Sequence, residues 1–184
     1  MHYLTQMIGW QGGASHSTTD DAAAIRSAQL GDRDTFVRII SAYDSMVFRL
    51  AWNYTQSAAA ATDIYETVFT TAYRLLPSYR GEETFLVWLF RIATRCCLAY
   101  KPGRREAIDS ANCPDDARTP IRLRQSLLQL TARDRLVFVL RHELQFKAAT
   151  ISRMLDTDEH TVQTSLTRGF VLLRMAAKGI ATRQ

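Results

Sequence analysis

Two groups of residues in this 184-residue chain have the types and spacing that nucleic-acid binding needs. The first is the short loop Pro77 to Thr84, which holds Tyr79, Arg80, Glu82, Glu83 and Thr84 between two amphipathic patterns of the stretch Asp63–Cys97. An aromatic ring can hold an unstacked base, and a guanidinium can neutralise the phosphate beside it. The second is Glu159–Ala176, whose exposed helical face would carry His160, Thr161, Gln163, Thr164, Thr167 and Arg168. Short polar groups, Gln and Arg can reach base edges and phosphates in a major groove. Neither group contains a nucleophile beside a base, and the chain has no Gly-rich phosphate loop and no paired Cys/His ligand spacing. His142 and His160 lack the partners of a zinc site. The expectation is a binding protein, not an enzyme, with no metal and no cofactor.

The elements that must position these residues are helical. Apolar residues at Phe36, Ile40, Tyr43, Val47, Leu50, Ala51 and Tyr54 step by three and four, which predicts one helical face over Asp34–Tyr54. Gly31-Asp32 separates it from a shorter helix at Ala22–Leu30. A second pattern runs from about Ala59 to Leu76 and stops at Pro77; a third runs from about Thr84 to Tyr100. In the third, Trp88, Leu89 and Ile92 have the spacing of a buried stripe. Residues 101–120 show no period and hold three of the four prolines, as a linker would. Fully extended, it would span roughly 65 Å.

A second helical module begins at Ile121. It ends in Lys147–Leu155, a break at Asp156-Thr157-Asp158, and Glu159–Ala176. The pairs Ile151/Leu155 and Val162/Leu166 suit two short helices crossing at a tight turn, with Asp158 capping the second. Pattern alone fits two readings, a DNA-binding helix-turn-helix or a helical hairpin with a solvated face. Asp156, Asp158 and Glu159 would repel phosphate if they faced it, and the turn has no Gly.

Composition narrows the class. Almost half the residues are hydrophobic, with only 8 Gly and 4 Pro, which favours a folded all-α chain over a disordered one. The net charge of +5 permits a polyanionic partner. Residues 81–105 carry five basic and two acidic groups, residues 106–120 one and four, and residues 121–184 eleven and five, so the positive charge falls in two blocks split by an acidic spacer. Cys96, Cys97 and Cys113 form no disulfide framework and read as reduced cytosolic thiols. No run has transmembrane length, and the start lacks a signal-peptide core, reading as a flexible leader.

Both modules resemble one family. GDRDTF at Gly31–Phe36, DIYETVFTTAYR at Asp63–Arg74, YRGEETF at Tyr79–Phe85 and WLFRIA at Trp88–Ala93 resemble domain two of an extracytoplasmic-function sigma factor of bacterial RNA polymerase. LLQLTARDRLVFVLRHE at Leu127–Glu143 and HTVQTSLTRG at His160–Gly169 resemble its domain four. The resemblance implies a leader over 1–20, domain two over 21–100, a linker over 101–120 and domain four over 121–184. It implies docking on the clamp helices of core polymerase through Asp63, Glu66, Thr67 and Arg74, and a further contact with the polymerase flap. It implies capture and opening of the minus-ten element of promoter DNA by Tyr79, Arg80, Glu82, Thr84, Arg91 and Arg95. It implies reading of the minus-thirty-five element by His160, Thr161, Gln163, Thr164 and Arg168. An inhibitory anti-sigma protein and a cytoplasmic, nucleoid-associated location also follow from it, with no membrane insertion of the chain itself.

The chain departs from the family pattern at several positions. Alanines and Thr62 replace an acidic pair before Asp63, Glu66 replaces Gln, and Arg95 replaces Asn. Thr131 replaces a Pro, Gln145 and His160 replace Gly, and Gln163 and Ser165 replace basic residues. These departures keep two alternatives in view: a plain helix-turn-helix regulator, and a degenerate sigma-like interaction protein. The first would need another purpose for Asp34–Arg95.

Overall fold

The computed structural model describes residues 18–101 and 126–181, with side chains over 22–101 and 126–175. Every regular element among them is helical. The first half comprises α1 (Thr18–Gln29), α2 (Arg33–Ser41), α3 (Asp44–Thr55), α4 (Ala58–Leu75), a 3₁₀ turn (Leu76–Ser78) and α5 (Phe85–Ala99). The second comprises α6 (Ala132–His142), α7 (Ala148–Met154) and α8 (Glu159–Ala181), preceded by helical residues 126–128. The expected linker, apart from Lys101, lies outside the described residues, as does Cys113.

Capping chemistry sets most boundaries. Asp32, Ser57, Thr84 and Thr131 each accept a backbone N–H three residues on, opening α2, α4, α5 and α6. Thr131 therefore replaces the family's proline with a hydrogen-bonded cap. Asp32 also accepts the hydroxyls of Thr35 and Ser27, and these bonds hold its carboxyl down at about 2. Pro77 enters the 3₁₀ turn that ends α4, as its missing N–H requires.

Three boundaries differ from the sequence expectation. α1 starts at Thr18, inside the expected leader. The face predicted over Asp34–Tyr54 is two helices, because the chain tightens at Ala42-Tyr43. There the N–H groups of Ala42 and Tyr43 bond three residues back, to Ile39 and Ile40, a 3₁₀ pattern that no Gly or Pro announces. The last helix runs to Ala181, beyond the expected Ala176.

The two halves pack on one another around a continuous core. Leu50, Val68, Leu89 and Phe90 of the first half join Leu136, Leu140, Ile151 and Met154 of the second, all fully buried. α5 lies against α6 and α7, and α3 against α6. Phe90 meets Phe146 edge-on, ring centroids 5.2 Å apart. Polar ties cross the same seam. Arg49 Nη2 donates to Glu143 O (2.9 Å), and Thr94 Oγ1 to Met154 O (3.2 Å). Arg135 Nη1 donates to Tyr54 O (3.2 Å) while its guanidinium lies 5.3 Å from the Tyr54 ring centre. Its other donors hold the carbonyls of Leu127, Leu128 and Leu130, so one guanidinium ties three segments together.

Gln145 sits in the left-handed region at φ 59°, where side chains other than Gly are strained. This is the position where the family has Gly. Gln145→Gly is expected to stabilise the chain by about 0.5–1 kcal/mol, after allowing for the greater freedom of Gly in the unfolded chain. A thermal midpoint raised by about 1–4 °C would report it. A lowered midpoint would mean that the Gln145 Nε2 bond to His142 O (2.6 Å) outweighs the backbone strain.

Candidate nucleic-acid and polymerase interface

On α4, Asp63, Glu66, Thr67 and Arg74 are all exposed. At 100° per residue they share one stripe of the helix, opposite buried Ala61, Val68 and Ala72. The groove beside this stripe, about 460 Å³, runs between α4 and α5 and is walled by Ile64, Thr67, Thr71 and Leu75 on one side and Ile92, Arg95 and Cys96 on the other. The structure thus places Arg95 with Thr67, away from Tyr79. Cys97 beneath is fully buried, and that burial keeps its thiol protonated.

The loop after α4 forms a second, more polar hollow of about 490 Å³. Tyr79, Arg80, Glu82 and Arg91, four of the six expected minus-ten residues, line it together with Ser78, Glu83, Trp88 and Arg153. Tyr79, Phe85 and Trp88 form an aromatic group with centroids 5.2–5.7 Å apart. Trp88, expected in the buried stripe with Leu89 and Ile92, packs on the core yet keeps a surface in the hollow. Arg91 pairs with Glu83 (2.8 Å) and donates to Arg153 O of α7 (3.2 Å). Thr84 is exposed and does not line the hollow; its hydroxyl is engaged in capping α5.

The helix pair α7–α8 turns at Asp156, which takes the left-handed conformation (φ 51°) that a Gly would otherwise supply. Asp158 accepts both the N–H (2.7 Å) and the hydroxyl (2.8 Å) of Thr161, and these bonds lower its pKa. The Thr161 hydroxyl is therefore held by the cap. His160, Gln163 and Arg168 are exposed, Thr164 is half-exposed, and they share one face of α8. Arg168 reaches to 4.0 Å from the buried carboxylate of Asp134. Ser165, where the family has a basic residue, is buried, so a charge there would lack water. Gly169 passes so close to Phe138 that an added Cβ would stand 3.0 Å from its ring.

Both halves of the chain are similar to known proteins. The sigma-70 region 2 family matches residues 39–106, and the sigma-70 region 4 family matches residues 121–173. The extracytoplasmic-function sigma factor SigW of Bacillus subtilis is 25% identical over 173 residues, spanning 82% of this chain and 92% of that relative. The chain belongs to the extracytoplasmic-function sigma factors of RNA polymerase. The sigma-E factor of Haemophilus influenzae is 36% identical over 87 residues, 46% of each chain. Among solved structures, CnrH in complex with the cytosolic domain of CnrY matches with TM-score 0.68 at 17% identity, over 86% of this chain and 97% of that one. RpoE of Bartonella quintana, in complex with the anti-sigma factor NepR, matches with TM-score 0.57 at 15% identity, over 78% and 96%. At such identities these two speak for the fold.

This sigma factor is a specificity subunit, not an enzyme. Among its described residues no helix is long and apolar enough to cross a membrane. Sequence reasoning left Gln29, Trp88 and Arg153 out of its site. Trp88 carries the stripe spacing of a core residue. Gln29, whose Nε2 donates to Tyr79 O (2.7 Å), and Arg153 reach the loop after α4 only through the fold and leave no local signal.

Proposed function

We propose that three surfaces divide the work of promoter recognition. Asp63, Glu66, Thr67 and Arg74 dock on the polymerase clamp helices. Tyr79, Arg80, Glu82 and Arg91, with Thr84 at the cap of α5 and Arg95 one helical turn on from Arg91, capture the opened minus-ten strand. His160, Gln163, Thr164 and Arg168, with Thr161 at the cap, read the minus-thirty-five duplex.

The observation that carries this reading is the polar hollow, where the mutually tilted rings of Tyr79 and Trp88 and three guanidinium groups face one space. Aromatic faces with cations beside them suit single-stranded bases and their phosphates. The boundaries proposed are domain two over 21–100 and domain four over 121–184, with the factor cytoplasmic and on the nucleoid when active. An anti-sigma protein, such as the NepR bound to RpoE of Bartonella quintana, is the proposed inhibitor, and the polymerase flap is the proposed second dock.

Arg168→Ala tests the minus-thirty-five assignment. Loss of a base or phosphate contact there is expected to weaken promoter-directed transcription by about 5- to 150-fold, from roughly 1–3 kcal/mol of lost recognition. Unchanged output from a reporter, with unchanged core binding, would remove Arg168 from the reading face and favour a degenerate role for this helix.

A further inference from the structure

We propose that Gln29, at the end of α1, is a positioning residue for the minus-ten loop. The proposal rests on the reading of that loop as the strand-capturing element. Gln29 is 47 and 50 residues from the two carbonyls it holds, and its Nε2 donates to Leu76 O (3.0 Å) and Tyr79 O (2.7 Å). One amide group has two N–H donors, so both bonds form at once. They grip the loop at the residue that ends α4 and at the residue carrying the aromatic ring.

The loop has little else of its own to fix it. Its backbone turns through Gly81 at φ 75°, and the bond from Tyr79 N–H to Leu76 O closes only the first turn. Side chains supply further ties: Ser78 Oγ donates to Leu75 O (2.6 Å), the Tyr79 ring packs on Phe85 and Trp88, and a polar series continues from Tyr79. The Tyr79 hydroxyl donates to Glu83 O (2.6 Å), and the Glu83 carboxylate pairs with Arg91 (2.8 Å). The series runs from α1 through the ring of Tyr79 to α5, with Gln29 at its fixed end. That end is anchored, because Ile25 and Ala28 of α1 are buried in the core and Gln29 itself is half-buried. A ring intended for a displaced base must be held before the base arrives, or binding spends its energy on ordering the loop. Gln29 also lies outside the region 2 match, which begins at residue 39, so the brace comes from a helix beyond that match.

The test uses holoenzyme assembled from core polymerase and the full chain, on a duplex selected from random sequence by the wild-type holoenzyme. Gln29→Met keeps the length and removes both donors; Gln29→Lys restores a donor. Strand opening is read by 2-aminopurine fluorescence in the opened region, and core binding by co-elution. Met is expected to reduce opening about tenfold, from two lost hydrogen bonds, with core binding intact. Lys is expected to recover most of the loss. Opening by the Met variant equal to wild type would overturn the proposal. So would joint loss of core binding and opening, or Lys behaving like Met. Failure of the wild-type holoenzyme to open any selected duplex would instead overturn the assignment of the loop itself.

Discussion

Replacing Phe90 by alanine is expected to lower stability by about 3–5 kcal/mol. Phe90 is fully buried on α5 and meets Phe146, in the loop between α6 and α7, edge-on at 5.2 Å. Truncation removes the ring and leaves a cavity that rigid helices on both sides cannot close. For a chain whose total stability is on the order of 5–15 kcal/mol, this is a large fraction. Because the ring touches both halves, the loss should appear in both. Urea unfolding followed separately by far-ultraviolet circular dichroism and by tryptophan fluorescence, which reports the first half through Trp52 and Trp88, should shift together. A double-mutant cycle with Phe146→Ala should show coupling of about 0.5–1.5 kcal/mol. Strict additivity would mean that the two rings do not interact in solution.

Tyr79→Ala carries the second large effect, on promoter opening. The ring belongs to the Tyr79–Phe85–Trp88 group and borders the polar hollow beside Arg80 and Arg91. Stacking of a base on an aromatic side chain is worth about 1–3 kcal/mol, so the alanine variant should open promoter DNA about 5- to 150-fold less well. Its affinity for core polymerase should stay unchanged, because the α4 stripe is a separate surface. Tyr79→Phe keeps the stack and loses only the bond to Glu83 O, so it should fall between. Permanganate footprinting of unpaired thymines on the selected duplex measures all three proteins. Opening by the alanine variant at the wild-type level would show that the ring is a turn residue and not a platform for bases.

The helices were legible because their caps and stripes are local. Thr84 before Phe85-Leu86-Val87-Trp88, Pro77 after Leu76, and Asp158 before Glu159 each announce a boundary within a few residues. The division of α2 from α3 was hidden, since it is made by two tightened backbone bonds and no breaker residue. Left-handed turns at Gln145 and Asp156 were hidden for a related reason, because the sequence signal for such turns is Gly and this chain uses side chains that bear the strain. Of the site, the exposed face of α8 followed from helical period, whereas the α4 residues were named by the family resemblance. The same resemblance grouped Tyr79 with Arg91, but neither source foresaw Arg153 in their hollow or the brace from Gln29. Ties across the seam, such as Thr94 to Met154 and Arg49 to Glu143, join residues 60 and 94 apart. Spacing rules describe one element at a time, so contacts of this range emerge only when the core that sets them has formed.

The central claim is that this chain confers promoter specificity on core RNA polymerase. Its most direct test mixes purified full-length chain with core polymerase, follows co-elution, and then runs transcription on a library of random-sequence duplexes. A stable complex that initiates from a narrow set of related sequences is expected, and it should be lost when charge is reversed at Asp63 and Glu66. No co-elution, or initiation no more selective than that of core polymerase alone, would contradict it.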